Sequence, residues 1–478
     1  MGSLNGATDE RQSLRILIDG MNLALEKGTG VATYARGLSH AIHDLGHQVD
    51  VLYGSRSGGK NPLMREIAFF DPAVGHFPIW NPLRILGNAS EEIQAYFAGA
   101  HSYRVPMSGT VVREHFRSRL PYFDQIWNSR DLFGRANRFF DYFGRRIRAP
   151  LPFRPDLVHW TYPVPVVVPR TKNIYTIHDL VPLRLPYTTL DTKRRYFRLM
   201  RTLTKHADHF VTVSETSKRD IVNLLGVPED QVTNTYQSVD IPARYADKPP
   251  ETVKREVEGT FDLRYKNYLL FFGAIEPKKN IGRLIEAYLG SNIDTPLVIV
   301  GKLAWKSDDE LRLLDNDAVT YLEQINNLTL TRRRVHHIDY APFPLLVSLI
   351  KGAKAVCFPS LYEGFGLPVV EAMKLGTPVL TSTGGSMPEV AGDAALLVDP
   401  YNVAEIAEGI RALDSNAELR DQLSARGSVR AQLYTPEKHA ERLNEMYSRI
   451  LDKRGKKAKT PSMMNAQDRS AIRAAAAE

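Results

Sequence analysis

The sequence predicts an α/β protein built from two consecutive doubly wound domains. Three observations carry this. Short apolar runs such as Ile16-Leu17-Ile18, Leu269-Leu270-Phe271-Phe272 and Ala355-Val356-Cys357-Phe358 alternate with stretches of helical length, the pattern of βαβ units. The chain has 478 residues, more than one ordinary core accommodates. A polar, Pro/Lys/Glu-rich stretch from about 241 to 262 splits the alternation into two sets.

Composition narrows the class further. Hydrophobic residues make up 43% and charged residues 24%, a globular rather than a disordered balance. The single cysteine, Cys357, lies in an apolar run, so an intrachain disulfide is excluded and a reducing compartment is expected. The polar start MGSLNGATDERQS lacks the apolar segment of a secretory signal, and no window approaches a bilayer span. A soluble, cytoplasmic protein is expected, either free or peripheral on the inner face of the cytoplasmic membrane. The net charge of +8 points to anionic partners without choosing among them.

In the first half, Leu14 to Gly20 reads as a strand entering a loop with Gly28-Thr29-Gly30. A helix from Val31 to Leu45 and a strand at Gly46 to Tyr53 follow. Asp156 to Trp160, Asn173 to Asp179 and His209 to Ser214 read as buried strands, the last followed by a helix from Glu215 to Leu225. The N-terminal domain is placed at 13–245, with a basic, aromatic insertion at about 60–154. Between Val111 and Arg154 that insertion mixes arginines with Trp127, Phe139, Phe140 and Phe143. It either lies on an anionic membrane or packs its aromatics internally.

The second domain is placed at 262–433. Strands are expected at Tyr268 to Phe272, Leu297 to Val300, Val335 to Ile338, Ala355 to Phe358 and Pro378 to Thr381. Helices are expected at Ile281 to Leu289, near Asp308 to Leu328, at Pro344 to Lys351 and at Pro368 to Leu375. A terminal helix at 434–453 precedes a tail, 454–478, too polar and Ala-rich to pack. In such folds ligands sit beyond the carboxyl ends of the strands, which directs attention to the loops after Ile18, Ile177, Phe272, Val300 and Phe358.

The loop after Phe358 carries the strongest signal, Glu363-Gly364-Phe365-Gly366-Leu367-Pro368-Val369-Val370-Glu371. Pro368 fits the first turn of a helix, and the amides around Phe365 to Leu367 would form an anion site at its N-terminus. Glu363 and Glu371, with seven residues between them, resemble the E-x7-E motif of retaining glycosyltransferase family 4 (the glycosyl transferases group 1). The wording EGFGLPVVEAM and the GTPV that follows resemble that family over nearly the whole chain, least at about 60–155 and past 453.

The resemblance implies the GT-B fold, two Rossmann-like domains facing each other across a cleft, with a nucleotide-sugar donor held mainly by the C-terminal domain. It implies that Glu371 binds the ribose and Glu363 the sugar hydroxyls, while the backbone from Gly364 through Leu367 meets phosphate or sugar. Gly273-Ala274-Ile275-Glu276-Pro277-Lys278-Lys279-Asn280 is similar to the family's diphosphate segment, with Lys279 as principal ligand and Lys278 as a second cation. Ala274 stands where many relatives have arginine. His178, in Thr176-Ile177-His178-Asp179, is expected near the transferring sugar, with Asp179 orienting the loop. Gly28 and Gly30 allow close approach of backbone to the diphosphate. Gly301 and Tyr340 are expected beside the nucleobase, and Ser382 to Glu389 is expected to be structural.

The catalytic set read this way is His178, Glu363 and Lys279, with no metal and no cofactor beyond the nucleotide sugar as co-substrate. The wording EPKKN and HDLVPLRLP is most similar to bacterial mannosyl- and rhamnosyltransferases of polysaccharide assembly. GDP-mannose is therefore the leading donor, and a saccharide or polyprenyl-diphosphate-linked saccharide the acceptor. Other readings are a UDP-glucose, UDP-GlcNAc or dTDP-rhamnose donor, a nucleotide-sugar epimerase of the same architecture, or a non-catalytic sensor. No nucleic-acid-binding module is present in the sequence.

Overall fold

The computed structural model describes residues 13–23, 30–57, 61–71, 92–112, 120–304, 310, 312, 320–325 and 328–457. The expectations for Gly28, for Arg113 to Arg119 and for the tail past 457 lie outside the described residues.

Among the described residues ten strands belong to the first half: β1 (Arg15–Asp19), β2 (Gln48–Tyr53), β3 (Tyr103–Val105), β4 (Gln125–Asn128), β5 (Ile147–Arg148), β6 (Leu157–Trp160), β7 (Val166–Val167), β8 (Lys172–Thr176), β9 (His209–Thr212) and β10 (Val232–Asn234). Eight of them form one sheet in the order β10-β9-β8-β6-β1-β2-β4-β3, parallel except for the β3–β4 edge pair. The central strand β1 shows why the run is continuously apolar: Ile16, Leu17 and Ile18 are fully buried, since helices cover both faces. β3 and β4 fall within the stretch expected as an insertion. Their residues complete the sheet, with Val51 in register with Ile126 and Leu52 with Trp127. Much of the basic, aromatic segment therefore packs internally: Phe140 is buried and Trp127 nearly so, and Arg138 pairs with Glu92 and Asp131. Tyr142 and Phe143 remain exposed.

The second half holds β11 (Leu269–Phe272), β12 (Leu297–Val300), β13 (Thr320–Ile325), β14 (Leu328–Arg333), β15 (Val335–Ile338), β16 (Ala355–Phe358), β17 (Val379–Ser382) and β18 (Leu396–Val398). Six form an all-parallel sheet, β15-β12-β11-β16-β17-β18. β13 and β14 are a separate antiparallel hairpin, with Thr320 opposite Arg333 and Ile325 opposite Leu328. This corrects the last part of the helix expected near Asp308 to Leu328, from Thr320 on; most of 308–319 lies outside the described residues. Thr320-Tyr321-Leu322 and Leu328-Thr329-Leu330-Thr331 are rich in β-branched and aromatic residues at period two, which favours paired strands over a helix.

Helix Pro436–Lys457 follows the second sheet and returns to the first half, where it lies along helix Gly30–Asp44. Leu443, Met446, Tyr447 and Ile450 face inward from it, at the four-residue spacing of one helix face. Among the described residues no helix is long and apolar enough to cross a membrane.

Candidate active site

The candidate site lies where the carboxyl ends of both sheets meet. β16 delivers the chain into the loop Pro359–Gly366, and helix Leu367–Lys374 starts immediately after it with Pro368 in its first turn. Gly366 adopts φ 100, a conformation that side-chain-bearing residues avoid. The Val369 and Val370 amides turn back onto the Gly366 carbonyl (3.0 and 3.4 Å), and the helix dipole puts its positive end at the cleft.

The loop after β11 is fastened to this one. The amide of Leu361 donates to the Lys278 carbonyl at 2.8 Å. The Asn280 side chain, held at φ 63, donates to the carbonyls of Pro359 (3.0 Å) and Pro400 (2.7 Å). That clamp brings the lysine pair onto Glu363: Lys279 Nζ lies 2.5 Å from Oε1, and Lys278 Nζ lies 3.7 Å from Oε2 and 3.5 Å from Glu276. The Ser360 hydroxyl is 2.7 Å from the same Glu363 oxygen. Lys279 also sits 4.9 Å above the Phe358 ring.

The electrostatics follow from this packing. Burial alone would raise the Glu363 carboxyl, but the two ammonium groups and the hydrogen bonds of Lys279 and Ser360 bring it down to about 2. Burial opposes the charge on Lys278, yet Glu363, Asp179 and Glu276 hold its pKa well above the usual lysine value. Glu371, on the helix itself, has only burial acting on it and is pushed up to about 7.

His178 faces this cluster from the first half. Its Nε2–H donates to the Thr161 carbonyl (3.0 Å), so Nδ1 is the acceptor for the Gln237 amide (3.1 Å). Tyr34 meets the ring edge-on at 4.8 Å. Burial lowers the His178 pKa, so the imidazole is neutral and both nitrogens are occupied within the protein. Asp179 accepts from the Val181 amide (3.1 Å), which shapes the loop. The two halves touch at Gly364, where a Cβ would come within 2.3 Å of the His178 carbonyl oxygen.

The remaining sequence-derived residues are distributed unevenly. Gly30 begins its helix opposite Leu367, whose side chain would lie 3.6 Å from a Cβ there. The Phe365 side chain packs against Tyr434 and Tyr236, so only its backbone faces a ligand. Gly301 packs its backbone against the next loop: a Cβ would stand 1.8 Å from the Gly273 carbonyl oxygen. Tyr340 is exposed and lies 5.4 Å from the Lys302 ammonium, on the rim. Thus Lys278, Lys279, Glu363, Gly364, Gly366, Leu367 and Glu371 form one wall, with His178 and Gly30 opposite.

Sequence reading did not single out Asp19, the buried last residue of β1. It accepts from the amides of Thr161 and Met21, and burial raises its pKa to about 6. The signal was present, since an acid closes an otherwise apolar strand. Glu389 was expected to be structural. Its carboxylate takes hydrogen bonds from the Glu215 amide (2.7 Å) and the Thr216 amide (2.9 Å) at the start of helix Glu215–Leu225, bridging the halves.

Comparison with known proteins agrees with this architecture. The family model for glycosyl transferases group 1 matches residues 260–430, and that for glycosyltransferase family 4 matches residues 28–241. The chain is 30% identical over 273 residues to O-antigen chain mannosyltransferase B of Escherichia coli, covering 55% of this chain and 67% of that protein. It is 28% identical over 243 residues to the serotype-specific mannosyltransferase WbdA of E. coli, covering 49% of this chain but only 28% of WbdA's length. Sucrose-phosphate synthase from Thermosynechococcus elongatus shares the fold, with a TM-score of 0.61 at 16% identity over 91% of this chain and 99% of that one. Two parallel-sheet domains of the GT-B arrangement, with the lysine and glutamate loops converging between them, thus identify the chain as a glycosyltransferase of family 4, the glycosyl transferases group 1.

Proposed function

We propose that the chain is a retaining glycosyltransferase that moves a hexose, mannose from GDP-mannose in the first instance, onto a saccharide or lipid-linked saccharide during glycan assembly. The observation that carries this is the cluster of Lys278, Lys279 and Glu363 beside the open start of helix Leu367–Lys374. Two cations and a helix N-terminus suit a diphosphate, and a carboxylate ionised at every working pH suits sugar hydroxyls. The named mannosyltransferase relatives support the choice of mannose.

In this reading the acceptor oxygen bonds to the anomeric carbon on the face from which the diphosphate leaves. The bond from that carbon to the bridging phosphate oxygen breaks with its electron pair, and the departing oxygen takes the acceptor proton. The two lysines stabilise the developing charge, so neither a protein base nor a metal is required. His178, neutral and hydrogen-bonded at both nitrogens, holds the loop that abuts Gly364 rather than accepting a proton.

Lys279→Ala tests the assignment. Its kcat should fall about 100-fold or more with any acceptor, and full activity in the variant would overturn it. Nucleotide diphosphate released only when acceptor is present separates transfer from epimerisation. Inversion at the transferred carbon would exclude the retaining course.

The exposed Tyr142 and Phe143 beside a basic surface support a peripheral site on an anionic leaflet. The chain should sediment with anionic liposomes at low salt and not with neutral ones. No difference between the two would exclude the membrane role.

A further inference from the structure

A second cavity, of about 180 Å³, opens in the first half next to the candidate site. Its walls come from the segment after β6, from helix Leu132–Phe143 and from helix Lys193–Thr204, again at the carboxyl end of the sheet. Phe133, Tyr162 and Tyr196 supply aromatic surface, while Asn137, Asp191 and Arg195 supply polar groups. None of the six belongs to the lysine–glutamate cluster.

The cavity is tied to the reaction centre through two neighbours. The Tyr196 hydroxyl donates to the Asp179 carbonyl at 3.3 Å, in the His178 loop. Tyr162 directly follows Thr161, whose carbonyl fixes His178 and whose amide is held by Asp19. A molecule in the cavity therefore lies beside the His178 loop, on the side of the cleft opposite the lysine–glutamate cluster.

We infer that this cavity is the acceptor subsite, and that it takes one uncharged hexose ring and disfavours a phosphorylated or otherwise acidic sugar. This rests on the glycosyltransferase reading and adds the chemistry of the acceptor. Three arguments carry it. The volume is below the roughly 300 Å³ of sites for drug-sized ligands, which leaves room for one ring rather than an oligosaccharide. Aromatic faces are electron-rich and accept the C–H edges of a sugar ring, while polar groups around the rim meet its hydroxyls.

The charge balance supplies the third argument. Arg195, the cation of the cavity, is already committed: Nε donates to Asp141 (2.5 Å) and Nη2 to the Asn137 side-chain oxygen (3.0 Å). That breaks the bidentate fork a phosphate would use. Asp191 on the rim adds negative charge, which repels an acidic sugar. The Asn137 amide nitrogen and the remaining Arg195 nitrogen are left to donate to neutral hydroxyls.

Saturation-transfer NMR with the full chain tests this, using methyl α-glycosides of mannose, glucose, galactose and N-acetylglucosamine, with mannose 6-phosphate alongside. At least one neutral glycoside should bind at least about tenfold more tightly than mannose 6-phosphate. Tyr162→Ala and Asn137→Ala should each weaken it about fivefold or more, while GDP binding followed by thermal shift stays unchanged. Asp191→Asn, a rim substitution that leaves the fold intact, should narrow the discrimination against the phosphorylated sugar. No glycoside binding, binding indifferent to both alanine variants, or tighter binding of mannose 6-phosphate would overturn the inference. Failure of every nucleotide sugar to bind would instead strike the glycosyltransferase reading, and the glycoside measurements would still report on the cavity.

Discussion

Glu363 and Glu371 are chemically identical and eight positions apart, yet their surroundings drive them to opposite states. Two lysines and a serine hold Glu363 at about 2, whereas burial without a cation leaves Glu371 at about 7. If Glu371 binds ribose hydroxyls, as the family resemblance implies, it must be ionised to accept two of them. Nucleotide affinity should then fall by up to about tenfold per unit as pH drops below 7. In the free protein the sign is the reverse. A carboxyl raised from 4.5 contributes stability below pH 4.5 that is lost as pH climbs through about 7. Glu371→Gln should remove the pH dependence of nucleotide binding, weaken it about 10- to 100-fold at pH 8, and stabilise the unliganded protein there. Calorimetric titration between pH 6 and 8 measures the first two effects, and an affinity that does not change with pH would exclude the ribose role. Both glutamates were legible in the sequence because their spacing along loop and helix is local. The state of each was not, because the lysines next to Glu363 arrive from 84 positions away.

At the scale of elements, the terminal helix Pro436–Lys457 is fastened by buried histidines. His159 on β6 meets the Tyr447 hydroxyl at 2.7 Å and Thr176 at 2.9 Å, and Tyr34 closes the chain onto Thr176 at 3.2 Å. His439 donates from Nδ1 to the Thr235 carbonyl at 3.2 Å. Burial lowers His159 to about 3 and His439 to about 4, against an ordinary 6.5. Depressed groups of this kind contribute stability that is complete above pH 6.5 and is lost as pH falls. For His159 alone the loss by pH 4 is on the order of 3 kcal/mol. The helix should therefore lose amide-exchange protection between pH 6 and 4 before the sheets do, and His159→Gln should flatten that dependence. Simultaneous loss of protection throughout the molecule would refute a local latch. Strands such as β1, β11, β12 and β16 were readable from their continuous apolar runs, whereas β3 and β4 were hidden in the basic, aromatic stretch and Thr320–Ile325 was expected as helix. The latch itself was not readable: His159 and Tyr447 are 288 positions apart, and neither carries a motif.

The whole molecule depends on how the halves meet. Among the contacts that join them are Gly364, whose missing side chain lets its backbone approach the His178 carbonyl, Tyr362, whose hydroxyl meets Asp220, and Glu389, whose carboxylate crosses to helix Glu215–Leu225. The last is electrostatic in origin. A carboxylate on the exposed amides of a helix start gains both charge-assisted hydrogen bonds and the favourable end of the helix dipole. The Thr216 hydroxyl adds a third donor at 2.9 Å. Because Glu389 belongs to the second half and touches none of the lysine–glutamate cluster, it can govern closure without binding donor. Glu389→Gln keeps the shape but removes the charge, at a cost of about 1–2 kcal/mol in the favoured closed arrangement. That shifts an open–closed equilibrium roughly 5- to 30-fold. The variant should show a larger radius of gyration in small-angle scattering and a lower kcat, while donor affinity, set mainly within the second half, stays near wild type. A drop in donor affinity with unchanged scattering would place Glu389 in the donor site. Unchanged scattering and unchanged kcat would mean that the other contacts, Gly364 against His178 and Tyr362 against Asp220 among them, hold the halves together without it.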